Sequence, residues 1–215
     1  MSLLRSSRLP NAITIARVAM APAVAALIFV PTFGARLLGF ILFLIAAVSD
    51  LWDGYLARKH GWISNFGKLM DPLADKLLIV ATFIPVYIVS HGPGPIGSIP
   101  YWGVMPLWVL LVVFGREVII TAMRAAAARR GTVVPAGKSG KYKAFVQNIA
   151  VGSILLWYAL QTGALQEGWT GGFWTFWQAF HGAVLALALL VAVVLTLYSL
   201  VDYLWSWRSM VREAA

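Results

Sequence analysis

Six long apolar runs, separated by short segments rich in Gly, Pro or basic residues, set the pattern of this chain. They fall at Asn11–Val30, Leu37–Ala57, Pro72–Val89, Trp102–Met123, Ala144–Leu160 and Phe176–Tyr203. Each is close to the ~20 residues a helix needs to cross the hydrocarbon of a bilayer. None alternates apolar and polar residues as a barrel strand does. A backbone facing lipid must also satisfy its hydrogen bonds within its own segment, which favours helices. The pattern predicts an all-α integral membrane protein of six transmembrane helices. It forms a single domain over 1–215, with 1–10 and 206–215 as terminal segments. His91–Pro100 (HGPGPIGSIP) and Thr170–Gly172 read as turns between spans.

Composition agrees with this. Of 215 residues, 60% are hydrophobic and 12% charged, where a soluble domain carries roughly a quarter charged residues. So little polar surface cannot cover a globule in water, which excludes a soluble enzyme and a disordered chain. The absence of cysteine excludes a disulfide framework, a thiolate metal site and a cysteine nucleophile. The net charge of +9 is explained by where the basic residues fall. Arg5 and Arg8 precede the first span, and Arg58, Lys59 and Lys68 lie between the second and third. Arg129, Arg130, Lys138, Lys141 and Lys143 lie between the fourth and fifth, and Arg208 and Arg212 follow the sixth. The alternate connections hold Arg36 alone. The positive-inside rule then puts both termini in the cytoplasm. Attraction to anionic membrane lipids uses the same charges, and no nucleic-acid partner is needed. A cleaved signal peptide is the rival reading of the N-terminus, but the first run is longer than an h-region and contains Arg17. Trp102, Trp157, Trp169, Trp174, Trp177, Trp205 and Trp207 fall near span ends, where an aromatic belt is expected.

Four of the eight acidic residues lie between Asp50 and Asp75. Asp50 and Asp53 are spaced i, i+3 at the end of the second span, and Asp71 and Asp75 are spaced i, i+4 at the start of the third, so each pair shares a helix face. The connection is short, which predicts that these two helices are antiparallel neighbours with their acid faces together. Four carboxylates this close raise one another's pKa unless they are protonated, paired or bound to cations. Pairing with Arg58, Lys59, Lys68 and Lys76 is one reading. Divalent metal is the other: four carboxylates balance two divalent ions, and oxygen ligands without His or Cys select a hard cation, Mg²⁺ or Mn²⁺. Such a pair can clamp both sides of a phosphoryl displacement, at the depth where lipid head groups lie. His60, His91 and His181 have no second ligand at metal spacing and are assigned no role.

Asp50-Leu-Trp-Asp53-Gly54-Tyr-Leu-Ala57-Arg58, followed after eight residues by Gly67-Lys-Leu-Met-Asp71-Pro-Leu-Ala-Asp75, resembles the signature of the CDP-alcohol phosphotransferase family at every fixed position. Leu9–Arg17 looks like that family's first helix, and six helices is its architecture. Gly115–Arg124 and Gly140–Lys143 look most like its bacterial phosphatidylglycerophosphate synthases. The resemblance implies two Mg²⁺ (Mn²⁺ as an alternative) held by Asp50, Asp53, Asp71 and Asp75, with Asp75 also the general base. It implies that Gly54, Ala57, Arg58, Ser64 and Gly67 line a site for CDP-diacylglycerol. Gly54 and Ala57 also suit close helix packing, and Arg58 offers a guanidinium fork to phosphate oxygens.

Asn11, Thr14 and Arg17 recur at i, i+3 as a polar stripe, read as a third wall of that site. Asn11 also suits an N-cap. Arg17, a guanidinium in an apolar run, needs an acidic partner or a ligand. The resemblance to the related synthases implies that Arg116, Arg124, Lys141 and Lys143 line a pocket for the acceptor's phosphate, and Glu117 is expected to pair with a neighbouring base. The implied reaction passes a phosphatidyl group from CDP-diacylglycerol to sn-glycerol 3-phosphate, in a homodimer of the bacterial cytoplasmic (inner) membrane with its site facing the cytoplasm. Phosphatidylinositol-phosphate synthase and cardiolipin synthase are the rivals within the family. A divalent-cation transporter is the rival outside it, but its acids belong near the midplane, often in two related halves, and spans four to six hold no second copy.

Overall fold

The computed structural model describes residues 8–60, 65–129 and 138–213. Among them are six α-helices: α1 (Arg8–Phe29), α2 (Phe33–His60), α3 (Asn65–Ser90), α4 (Leu107–Arg129), α5 (Lys138–Glu167) and α6 (Gly172–Glu213). Each predicted apolar run forms a helix, and most helices extend past the run that marks them. Once nucleated in lipid a helix continues through flanking polar residues, because stopping would strand backbone groups. At 42 residues, α6 is ~63 Å long, far more than a bilayer needs.

Five helical stretches are long and apolar enough to cross a membrane: Asn11–Phe29, Phe33–Asp50, Met70–Ser90, Ser139–Glu167 and Gly172–Arg208. The sixth helix, α4, is also long enough at ~34 Å, but it carries Arg116, Glu117 and Arg124 within its length. Composition alone therefore does not count it among them. It also starts later than its apolar run, at Leu107 rather than Trp102. Backbone bonds between Ile99 and Gly103 (2.7 and 2.8 Å) close a tight turn there, with Tyr101 and Gly103 at positive φ. Pro100 and Pro106 flank that turn and resist helix.

The helices pack in the circuit α3–α1–α2–α5–α6–α4, closed by a thinner contact between α4 and α3. The short connection predicts that α2 and α3 pack together; among the described residues each packs mainly along α1, and they meet through Asp50, Asp71 and Asp75 at Arg17. A short connection constrains two helix ends but not the paths beyond them. The core runs through Val24, Phe83, Val86, Val109, Ile154, Leu185 and Leu189, all fully buried. Glycines permit close approach at several crossings: a Cβ at Gly39 would lie 3.2 Å from Leu27 Cβ, and one at Gly152 would lie 3.3 Å from Phe43.

Polar groups pin the connection between α3 and α4. Tyr158 donates to the Gly97 carbonyl (3.1 Å), Trp157 to the Ser98 carbonyl (3.1 Å), and the Met105 amide to Ser90 Oγ (3.0 Å). Trp157 and Trp102, which donates to the Ala186 carbonyl, thus anchor a loop as well as marking span ends. Arg36, the lone cation of the alternate connections, is buried. It donates to Thr162 Oγ1 at 2.8 Å and lies over the Tyr158 ring.

Gly97 is where this loop meets α3. A Cβ there would come 2.3 Å from the Val89 carbonyl oxygen and 3.0 Å from Ser90 Cα, whereas a Cβ at Gly115 would meet nothing within 4 Å. Gly97→Ala should therefore lower stability by about 1–3 kcal/mol, read as a lower unfolding midpoint in detergent. Gly115→Ala, in the interior of α4 with open space beside it, should raise that midpoint slightly.

Candidate active site

Three helices deliver the acid cluster. Asp50 comes from α2, and Asp71 and Asp75 come from successive turns of α3. From α1, Arg17 reaches all three. Its Nη1 donates to Asp50 Oδ1 and to Asp75 Oδ1 (3.2 Å), and its Nη2 to Asp71 Oδ1 (3.5 Å). One turn earlier, Thr14 Oγ1 donates to the same Asp71 oxygen at 2.7 Å. Thr14 and Arg17 are 1% and 3% exposed, so the stripe on α1 is buried against the acids. The three carboxylate side chains remain 38%, 47% and 52% exposed. A buried cation thus draws together acids whose other faces are open.

The counter-charge therefore comes from α1, not from the lysine nearest in sequence. Lys76 points elsewhere, donating to Thr121 on α4 at 2.8 Å. Asn11 is not an N-cap, because α1 begins three residues before it, at Arg8. The expectations for Asp53, Gly54, Ala57 and Arg58 fall on the last turns of α2, where their side chains lie outside the described residues, as does Ser64. Gly67 lies in the first turn of α3.

The donor chemistry fits a hard divalent cation, since three carboxylates from two helices converge within reach of one guanidinium. Among the described residues, however, no group of three or more acids and histidines is already arranged to hold a metal ion. The convergence point is spanned by Arg17.

A cavity of about 610 Å³ opens beside the acids, between α2 and α5. Asp50, Asp71 and Lys141 line one end of it, and Phe40, Phe43, Leu44, Ile149 and Leu156 continue it along the two helices. It is charged at one end and apolar over the rest, which suits a molecule with a phosphate head and hydrocarbon tails.

The four cations predicted to share one pocket are distributed differently. Lys141 faces the acid cavity. Lys143, two residues on and so ~200° around α5, is 2% exposed and donates to Glu117 Oε1. Arg116 donates to the same Glu117 oxygen at 3.0 Å and to Ser199 Oγ on α6 at 3.1 Å. Its guanidinium passes over Gly140, where a Cβ would lie 3.2 Å from Nη2. Arg124 is exposed and lies 5.6 Å from the centre of the Tyr203 ring. Beside this cluster Ser139 donates to Asp202 at 2.5 Å, tying α5 to α6. Sequence reasoning missed Ser199, Asp202 and Tyr203. The one available signal was a carboxylate, Asp202, at the end of a long apolar run.

Residues 7–207 match the family described as CDP-alcohol phosphatidyltransferase. The chain is 38% identical over 160 residues to a Bacillus subtilis protein named CDP-diacylglycerol–glycerol-3-phosphate 3-phosphatidyltransferase, covering 69% of this chain and 76% of that protein. A Rickettsia bellii protein of the same name is 34% identical over 148 residues, covering 69% and 75%. An Arabidopsis thaliana protein of that name, numbered 2, is 35% identical over 152 residues, covering 69% and 64%.

Glu117 is the sole acid paired with Lys143 and Arg116 among the described residues. Glu117→Gln should cost roughly 3 kcal/mol, because it leaves Lys143 buried without its counter-charge. Adding Lys143→Met should recover most of that loss. Thermal unfolding of the single and double variants in detergent checks both expectations.

Proposed function

The chain belongs to the CDP-alcohol phosphatidyltransferase family, and from that membership and the geometry of its acids we propose that it transfers a phosphatidyl group from CDP-diacylglycerol to sn-glycerol 3-phosphate. The products are phosphatidylglycerol phosphate and CMP, a step in phospholipid biosynthesis. The observation that carries this reading is the gathering of Asp50, Asp71 and Asp75 around Arg17, with Asp50 and Asp71 lining the charged end of an apolar groove. The names of the relatives favour glycerol 3-phosphate as the acceptor.

Enzymes of this family work with a divalent metal. In our reading Asp50, Asp53, Asp71 and Asp75 hold two Mg²⁺, and Mn²⁺ suits the same oxygens. When bound, the ions offset the charge of the diphosphate and stabilise CMP as it departs. The acceptor hydroxyl forms a bond to the β-phosphorus as the bond from that phosphorus to the bridging oxygen breaks. That oxygen leaves on CMP, and the hydroxyl proton passes to Asp75. The wall of Asn11, Thr14 and Arg17, with Asp53, Gly54, Ala57, Arg58, Ser64 and Gly67, receives the cytidine diphosphate. The glycines and Ala57 let the nucleotide approach the backbone, and Arg58 pairs with phosphate oxygens. The apolar length of the groove receives the acyl chains.

Lys141 meets the acceptor's phosphate from the cavity, while Arg116, Lys143 and Arg124, on the side of α5 that faces α4 and α6, add positive potential from a distance. In this reading both termini and the site face the cytoplasm, supported by the basic connections, and the family resemblance supports a homodimer in a bacterial inner membrane.

Purified protein given CDP-diacylglycerol should release CMP with glycerol 3-phosphate, and not with inositol phosphate or phosphatidylglycerol. Chelation should abolish release. Asp71→Asn and Asp75→Asn should each leave folded protein with activity reduced about 10²–10⁴-fold. Activity that survives both changes, or a preference for phosphatidylglycerol, would sink this reading.

A further inference from the structure

Arg17 uses the oxygens that a metal would need. One guanidinium, 3% exposed, bonds the Oδ1 atoms of Asp50, Asp71 and Asp75, and Thr14 adds a second bond to the Asp71 oxygen. The guanidinium holds the three acids together through its own nitrogens, on oxygens that a small divalent ion would use. It also fills the point between them with charge of the same sign as the metal's.

We propose that Arg17 is a resident counter-cation of the acid cluster. It gathers the three carboxylates before metal arrives, and metal loading displaces it from them. The inference rests on the reading that these acids take the divalent ion. The reason for such a residue is electrostatic. Without a cation, three carboxylates at the edge of an apolar bundle repel one another, and α2 and α3 would separate from α1 at that end. A fixed +1 charge against three carboxylates leaves the cluster negative enough to attract a dication. It also lowers apparent metal affinity by the fraction of time that Arg17 is in place. Metal and Arg17 thus exclude one another at the Oδ1 atoms, and each stabilises the same three-helix junction.

Mn²⁺ binding to the full chain in detergent micelles, followed by electron paramagnetic resonance and by the unfolding midpoint, tests this. Arg17→Gln should lower the Mn²⁺ concentration for half-saturation by about tenfold. It should also lower the metal-free unfolding midpoint, and saturating Mn²⁺ should raise that midpoint more in the variant than in the parent. Unchanged or weaker Mn²⁺ binding in Arg17→Gln would overturn the inference, because Arg17 would then support the ligands instead of competing for them. Arg17→Lys, which keeps the charge but loses the fork, should shift both readouts in the same direction by less. If neither variant folds even in saturating Mn²⁺, the exchange of one cation for the other is refuted. Asp71→Asn separates the two claims. If the parent and Asp71→Asn bind Mn²⁺ equally, or neither binds it, the metal reading itself fails, whatever Arg17 does.

Discussion

Carboxylates gathered at the rim of an apolar bundle need a counter-charge, and among the described residues one buried guanidinium supplies it to all three. Arg17 ties α1 to Asp50 on α2 and to Asp71 and Asp75 on α3. That tie explains why α1 is the helix along which both of the others pack. Apolar contacts between helices in lipid do little to choose a partner, since lipid tails are as apolar as the side chains they replace. A charged contact chooses strongly, because the alternative is an unpaired ion in a medium of low dielectric.

The helices were legible because the property that makes them, a long apolar run, is local. Their ends were less so, since they depend on what the flanking residues touch. Trp102 belongs to an apolar run yet lies in a turn, because Pro100, Gly103 and Pro106 together prevent a helix from starting there. Arg36 could be read only as a stray cation on the wrong side. Its partners, Thr162 and Tyr158, are 126 and 122 positions away, and no local pattern links them.

The acid cluster was legible for a related reason. Spacings of i, i+3 and i, i+4 put each pair on one face, and the stripe of Thr14 and Arg17 follows the same rule. The rule could not say which faces meet. It suggested α2 against α3, with Arg58, Lys59, Lys68 and Lys76 as counter-charges; among the described residues the cation comes from α1 and Lys76 turns to Thr121, while the other three side chains lie outside the described residues. The basic cluster was read less well. Lys141 and Lys143 look alike in sequence, yet an interval of two residues sends them to opposite sides of α5, one toward the acid cavity and the other into the contact with α4 and α6.

These two residues show how the bundle keeps opposite charges apart. Each cluster holds its own internal counter-ion: Arg17 among the carboxylates, and Glu117 between Arg116 and Lys143. Were Glu117 absent, buried Lys143 and half-buried Arg116 would be left without a paired acid among the described residues. With Glu117 in place the basic cluster is satisfied within α4, α5 and α6, and the half-exposed faces of Asp50 and Asp71 stay turned to the cavity that Lys141 shares. Local pairing within each cluster is thus what leaves charged groups of both signs open at one end of an otherwise apolar groove.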